Sequence, residues 1–233
     1  MCIRDSFKAD PFYSENENSI YFEKFNYFLG TGKLAKYSFE NKSIKDIKTS
    51  DNIHYSYPCT FEHEGETYLI PEGAQSNKIE IYRVDQDSLK KVNTVIDGFA
   101  GVDPTIVEHN NTWYIFATDG RMGGHSYLNI FYAKNPLTDW TPHSLNPVKI
   151  NLSNSRGGGS IFKEGDSLIR PAQNCFPEYG TSLVFNKIEQ LSPYEFKEAV
   201  VGELKPTENS MFKGIHTFSC LLYTSPSPRD STL

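Results

Sequence analysis

The sequence predicts an all-β fold, a five-bladed β-propeller, and three observations carry that expectation. Pairs ending in proline recur at Asp10-Pro11, Tyr57-Pro58 and Asp103-Pro104, spaced 47 and 46 residues apart. Each pair opens a short apolar run, a polar turn and a second apolar run, and a fixed period of this size marks a repeated sheet unit. Apolar residues alternate or run in fours, without the three-and-four spacing of a helix. A hairpin cannot bury both faces alone, so each unit needs neighbours, and units that start near a common channel form a propeller.

Taken in order, Lys8-Ala9-Asp10-Pro11 opens blade one, Ile20-Tyr21-Phe22-Glu23 is its second strand, and 30–39 is a glycine turn into a third. The polar stretch 44–52 is expected to cross between blades. Blade two starts at Tyr57-Pro58, runs through Tyr68-Leu69-Ile70-Pro71-Glu72, and ends with strands over 78–84 and 89–96. Each proline is placed at a strand entrance, where a missing amide donor costs least. Blade three pairs 103–107 with 112–117 and adds 128–133, with Trp113 in its core. The glycine-rich loop 119–126 lacks a phosphate-loop pattern and reads as a rim loop, and Trp140 anchors the turn that follows. Blade four runs from Ser155-Arg156-Gly157-Gly158-Gly159 through 169–175, then 182–188 and 194–202. Blade five has only its start, at Gly214-Ile215-His216-Thr217-Phe218, and is expected to be incomplete.

With 233 residues the chain is long enough for one domain that buries about 70% of its unfolded surface. Aromatic residues make up 14% of it, a composition that suits both rings stacked between sheets and sugar-binding surfaces. A net charge of -6 without a basic run argues against nucleic acid as a partner. No apolar stretch is long enough to span a membrane as a helix. Cys2, Cys59, Cys175 and Cys220 lack any metal-finger spacing and read as buried free thiols, and no histidine pair has metal-ligand spacing, so neither a metal nor a cofactor is expected. Asp85-Gln86-Asp87 has the form of a metal-binding acid pair but falls in a polar turn.

The ends break the pattern. Arg4-Asp5-Ser6 and Arg229-Asp230-Ser231 repeat one tripeptide, and 1–6 and 221–233 resemble translated sequencing-adapter read-through. The propeller is therefore assigned to 7–220, and the natural protein is expected to extend beyond both ends.

Acids at the inner edges of different blades converge on one channel mouth, which makes Asp10, Glu72 and Asp103 the candidate catalytic residues. Cleaving a glycosidic bond needs one carboxylic acid to protonate the leaving oxygen and one carboxylate to activate water or attack the sugar. A third carboxylate can set a neighbour's pKa through like-charge repulsion. Singly, an Asp before Pro also caps local amides in turns. Tyr57, Arg156, Arg170, Gln173, Asn174 and His216 are the candidate substrate-binding residues around that mouth. An arginine such as Arg170 can fork onto a carboxylate or phosphate, or form an inter-blade salt bridge.

The motifs Lys8-Ala9-Asp10-Pro11-Phe12, Tyr55-Ser56-Tyr57-Pro58, Tyr68-Leu69-Ile70-Pro71-Glu72, Ile130-Phe131-Tyr132-Ala133 and Arg170-Pro171-Ala172-Gln173-Asn174-Cys175, with Tyr179-Gly180 behind the last, occur in order. So do Asp139-Trp140-Thr141-Pro142-His143 and Asn146-Pro147-Val148. Over about 7–219 the chain resembles the N-terminal propeller domain of the glucosamine inositolphosphorylceramide transferase family. Bacterial relatives of that domain stand beside formyltransferase-type or glycosyltransferase-type domains, and the resemblance implies that a companion domain carries the transferase activity. It also implies kinship in shape with five-bladed glycoside hydrolases, in which a blade-one aspartate is base or nucleophile, a second aspartate tunes, and a glutamate is the acid. By position Asp10 matches the first, Tyr57 stands where the second is expected, and Glu72 or Asp103 remains for the acid. The expectation is a carbohydrate-binding accessory module of a glycan-modifying enzyme, whose partners are a carbohydrate or glycoconjugate and a companion transferase domain. The alternatives are a glycoside hydrolase and a protein-docking scaffold.

Overall fold

The computed structural model of the chain describes residues 6–207 and 214–219. The read-through expected at 1–6 and 221–233 therefore falls, Ser6 apart, outside the described residues, as do Cys2 and Cys220. Four antiparallel sheets follow one another in sequence order. Blade one is β1 (Ser6–Ser14), β2 (Ser19–Asn26), β3 (Thr31–Ser38) and β4 (Ser43–Asp46). Blade two is β5 (Ser56–His63), β6 (Glu66–Glu72), β7 (Lys78–Asp85) and β8 (Ser88–Asp97). Blade three is β9 (Gly101–His109), β10 (Thr112–Asp119) and β11 (Tyr127–Ala133), with the two-residue strands β12 (Thr141–Pro142) and β13 (Lys149–Ile150) both paired to β11. Blade four is β14 (Phe162–Glu164), β15 (Ser167–Asn174), β16 (Ser182–Leu191) and β17 (Phe196–Leu204).

The recurrent pairs prove to be bulges. Pairing slips between Ala9 and Phe12, between Ser56 and Cys59, and between Val102 and Thr105 opposite β10. Asp10, Tyr57 and Asp103 occupy these slips with φ of 51°, 45° and 48°. A left-handed L-residue costs on the order of 1–2 kcal/mol, and a bulge re-aims the side chain out of the pleat. Each following proline sits where the ladder is already interrupted, so it forfeits no amide bond. This corrects the expectation that the prolines mark strand entrances, since Pro11, Pro58 and Pro104 lie inside β1, β5 and β9.

The three bulged strands pack side by side, β1 against β5 and β5 against β9. Phe12, Tyr57, Cys59, Ile70, Ile81 and Ile115 fill the core between them, with Phe12 edge-on to Tyr57 at 4.7 Å between ring centroids. A second cluster of Tyr114, Phe116, Leu128, Ile130, Leu168 and Ile188 joins blades three and four. Trp113 lies in the first cluster and Trp140 packs against it, with the Trp140 indole N–H donating to the Pro136 carbonyl at 3.0 Å. Cys59 and Cys175 are buried free thiols.

Two expectations are corrected. The stretch 44–52 does not merely cross between blades, because its start belongs to β4, an outer strand too exposed to show apolar alternation. Five blades were predicted, and the described residues hold four. Residues 214–219 contribute a single parallel bridge, Phe218 to Gly159, rather than a sheet. That segment still spans the ring, since the Phe218 amide donates to the Gly158 carbonyl at 2.7 Å and the Thr217 hydroxyl donates to Asp10 in blade one. No helix among the described residues is long and apolar enough to cross a membrane.

Candidate functional site at the propeller mouth

The bulges aim Asp10 and Asp103 into one cavity of about 220 Å³. Glu72, at the end of β6, and Glu23, in β2, join them there, with His54, Ser56, Arg156, Phe7, Phe25 and Tyr179. The three acids chosen from sequence thus meet, and a fourth comes with them. A wider cavity of about 450 Å³ lies between the β9–β10 and β14–β15 turns, but its lining of Glu108, His109, Asn110, Asn111, Lys163, Gly165, Asp166 and Leu168 has no aromatic wall.

Asp103 is 3% exposed and fully engaged. Arg156 Nε donates to its Oδ2 at 2.6 Å and Gln173 Nε2 to the same oxygen at 2.7 Å. The Asp103 amide donates to Glu72 Oε2 at 3.1 Å. Burial, and then the charge on Asp103, push the Glu72 carboxyl well above the usual range, with Arg156 opposing. Burial and the neighbouring carboxylate thus favour the neutral, protonated form of Glu72, beside an Asp103 that is paired with arginine. Asp10 accepts from Thr217 and lies 3.2 Å from His216 Nδ1. The hydrogen bond to Asp10 raises the His216 pKa against the effect of burial, which favours the imidazolium beside Asp10.

Glu23 was read from sequence only as part of a strand. It is 6% exposed, and burial followed by the Asp10 charge raises its pKa to about 8, with His216 opposing. Its carboxyl occupies space that only a glycine leaves free, since a Cβ at Gly32 would stand 2.1 Å from Glu23 Oε1 and 2.7 Å from the Tyr55 carbonyl. His54 Nδ1 accepts the Gly32 amide at 2.8 Å, which leaves its proton on Nε2, 3.8 Å from Glu23 Oε1. Burial lowers the His54 pKa, in keeping with a neutral ring.

The far wall is cationic and aromatic. The Arg156 guanidinium lies 4.8 Å from the Tyr179 ring centre and its Nη1 is 3.1 Å from His125 Nδ1. Tyr179 leans over His216 with centroids 5.7 Å apart and stays 50% exposed. Opposite it, Phe7, Phe25 and Tyr27 form an aromatic group with centroids 5.2 to 5.7 Å apart. Glu23, His54, Phe7, Phe25 and Tyr179 escaped sequence reasoning as site residues. Gly32, alone within an alternating strand, was the one local signal that a backbone or side chain approaches closely there.

Four of the expected binding residues lie elsewhere or act indirectly. Tyr57 is fully buried, its hydroxyl 2.8 Å from Thr105 Oγ1 and accepting the Gly159 amide at 2.7 Å, so it ties blades two, three and four together behind the cavity. Arg170 is 1% exposed and forks onto Glu198, Nε to Oε2 at 2.8 Å and Nη2 to Oε1 at 2.6 Å. It is an internal brace of blade four. Asn174 accepts the Phe176 amide at 3.0 Å in a local turn. Gln173 reaches the site only by supporting Asp103. The Asp85-Gln86-Asp87 turn is held by Lys90 and Lys45. Among the described residues no group of three His, Cys, Asp or Glu side chains is placed to hold a metal ion.

The family model described as glucosamine inositolphosphorylceramide transferase 1, N-terminal, matches residues 1–219. The glucosamine inositolphosphorylceramide transferase 1 of Arabidopsis thaliana is 30% identical over 212 residues, covering 85% of this chain and 28% of its own length. That of Oryza sativa subsp. japonica is 33% identical over 162 residues, covering 67% and 22%. The chain thus spans about a quarter of the length of these curated relatives. Among solved structures, a family 117 glycoside hydrolase of Zobellia galactanivorans aligns with a TM-score of 0.61 at 11% identity, over 87% of this chain and 71% of its own. An exo-beta-1,3-galactanase from Phanerochaete chrysosporium aligns at 0.58 and 13%, over 84% and 49%. At such identities the likeness is one of fold.

Proposed function

The chain belongs to the family of the glucosamine inositolphosphorylceramide transferase 1 N-terminal domain, and from that premise we propose that its propeller is a carbohydrate-binding module of a glycan-modifying enzyme. One observation carries the reading: the cavity joins acids that can accept from sugar hydroxyls to an exposed tyrosine laid over an arginine. Sugar recognition needs that combination, polar groups for the hydroxyls and a flat face for the C–H side of the ring. In this reading a companion domain, in the part of the relatives that the chain does not cover, performs transfer to or from the bound glycan. The propeller in this reading has a fifth blade, which begins at 214–219.

A second reading is favoured by the environment of Glu72. An acid kept protonated by burial, across one cavity from Asp10, is the pairing that glycoside hydrolysis uses, with Glu72 as acid and Asp10 as base. Asp103 is unsuited to the acid role, because Arg156 and Gln173 consume its oxygen.

Titration with a panel of glycan fragments, followed by NMR of the aromatic side chains, tests both. Binding is expected, with Tyr179→Ala weakening it about tenfold. Failure of every fragment to bind, or indifference to that substitution, removes the binding reading. Release of reducing ends that disappears in Asp10→Asn would move the assignment to hydrolysis.

A further inference from the structure

The aromatic surface of the mouth does not stop at the cavity wall. Phe7 and Phe25 line the cavity, whereas Tyr27 lies outside that lining. The Tyr27 ring nonetheless meets Phe7 at 5.4 Å and Phe25 at 5.7 Å between centroids, and Phe7 and Phe25 are 5.2 Å apart. Each ring touches the other two, so the group runs from the wall onto the rim of blade one. Exposure rises along it, from half-buried Phe25 through Phe7 at 37% to Tyr27 at 62%.

The turn that carries Tyr27 is well tied. It joins β2 to β3, and the Asn26 side chain accepts the Phe28 and Leu29 amides at 2.9 and 3.0 Å. The Asn26 carbonyl accepts the Gly30 amide at 2.9 Å, and Gly30, with φ of 63°, supplies the left-handed residue that the closure needs. A tyrosine held in this way presents a rigid contact surface at low entropic cost.

Cavity size sets what that surface can meet. At about 220 Å³ the cavity falls below the range of about 300–1,000 Å³ that encloses drug-sized ligands, so it takes one sugar ring and not two. A longer glycan has to leave across the rim. On one side Tyr179 is already laid over the Arg156 guanidinium and against His216. On the blade-one side the aromatic surface continues outward through Tyr27. Its three rings are in mutual contact and leave no slot between them for an alkyl chain to enter, so they offer a face rather than a groove.

We propose that Tyr27, backed by Phe7 and Phe25, forms a second subsite that stacks the next saccharide unit of a glycan whose terminal unit fills the cavity. This rests on the carbohydrate-binding reading above and makes the ligand an oligosaccharide of at least two units. Inside, the acids meet the hydroxyls of the first unit; on the rim, aromatic carbon meets the C–H face of the second. The cavity thus selects a unit by its hydroxyls, and the rim selects for chain length. Phe28 and Leu29 extend the apolar surface beyond Tyr27, which makes a hydrocarbon chain the occupant to exclude.

The test titrates the protein with methyl glucoside, methyl galactoside and methyl mannoside. Beside each go a disaccharide with the same unit at its non-reducing end and the octyl glycoside of that unit. Occupancy of the cavity is read from the Tyr179 ring resonances, and occupancy of the rim from those of Tyr27. The disaccharide of the unit that binds is expected to bind about tenfold more tightly than its methyl glycoside, the scale of one aromatic contact. It should also shift Tyr27, which the methyl glycoside should not. Tyr27→Ala should remove the gain and leave the methyl glycoside within about twofold, as expected of an exposed side chain, whereas Tyr27→Phe should keep it. Equal affinities, or a Tyr27 resonance that ignores the disaccharide, overturn the subsite and leave carbohydrate binding intact. An octyl glycoside that gains as much as the disaccharide overturns it in favour of a hydrocarbon site. Binding of none of these probes, nor of any fragment in the panel above, removes both readings. The Tyr27 resonances are read on the unmodified protein, so the subsite stands or falls without the variants.

Discussion

At Glu23 the native state holds a proton up to about pH 8, whereas an unfolded chain releases it near about pH 4.3. Between those values the folded state binds more protons than the unfolded one, so stability falls as pH rises through the window. The loss approaches on the order of 4–5 kcal/mol by pH 8 and vanishes below about pH 4. Glu23→Gln fits the same space without an ionisable group. The variant is expected to melt above the parent at pH 8, with the difference shrinking to nothing as the pH is lowered to 4. Thermal melts of the two proteins across that range decide it, and a constant offset would mean that Glu23 does not titrate as described. Arg170 shows the opposite case. Burial works against the charge on Glu198, yet Arg170 and Lys149 hold its carboxyl below the ordinary range, a brace that serves the blade alone.

At the scale of the elements, the bulge organises the mouth, and blade four builds its version without an acid. Gly159 faces Tyr57 as the counterpart of the other blades' bulged residues, with φ of 121° and its amide on the Tyr57 hydroxyl. A Cβ there would lie 1.8 Å from the Phe218 carbonyl oxygen, a backbone atom with no rotamer to change. Gly159→Ala is therefore expected to displace the 214–219 segment and with it His216. The His216 pKa, raised by its hydrogen bond to Asp10, should then fall towards its ordinary value, which NMR titration of the ring protons reads directly. An unchanged His216 titration would show that the segment is not held by the Gly159 contact. The 47- and 46-residue spacing disclosed the equivalence of Asp10, Tyr57 and Asp103, but not that they sit at bulges, nor the geometry that brings Glu72 and Glu23 to Asp10 and Asp103. The inner strands were legible because Val102, Ile106 and Tyr114 to Ala117 must be apolar to be buried. β4, β12 and β13 were not, because outer strands face water and carry no alternation. Arg170 was misplaced because its partner Glu198 is 28 residues away in a different strand, and Glu23 was missed because its environment is made by Asp10, Gly32 and His54 together.

For the whole molecule, the ring is bridged between blade four and blade one by six described residues, 214–219. They supply the Phe218 amide to Gly158, the Ile215 amide to Gly180, and Thr217 with His216 to Asp10. Each hydrogen bond contributes about 1 kcal/mol, and a domain of this size moves about 2–4 °C per kcal/mol. A protein ending at Thr207 is thus expected to melt about 5–10 °C lower than the full 233 residues. It would also leave Gly158 and Gly159 as an unpaired inner edge, and such edges invite pairing with another copy. Gel filtration with light scattering should accordingly show concentration-dependent association of the shortened protein that the 233-residue one lacks. The Phe218 bridge runs parallel to blade four, so 214–219 does not extend that sheet as a further meander strand would. It joins Gly158 at one end to Asp10 at the other. If the shortened protein keeps its melting temperature and remains a monomer, four blades close on their own and the segment is an ornament. If it loses both, the mouth acids depend on the residues that follow blade four, and the cavity at Asp10 and Glu23 is a property of the closed ring rather than of blade one.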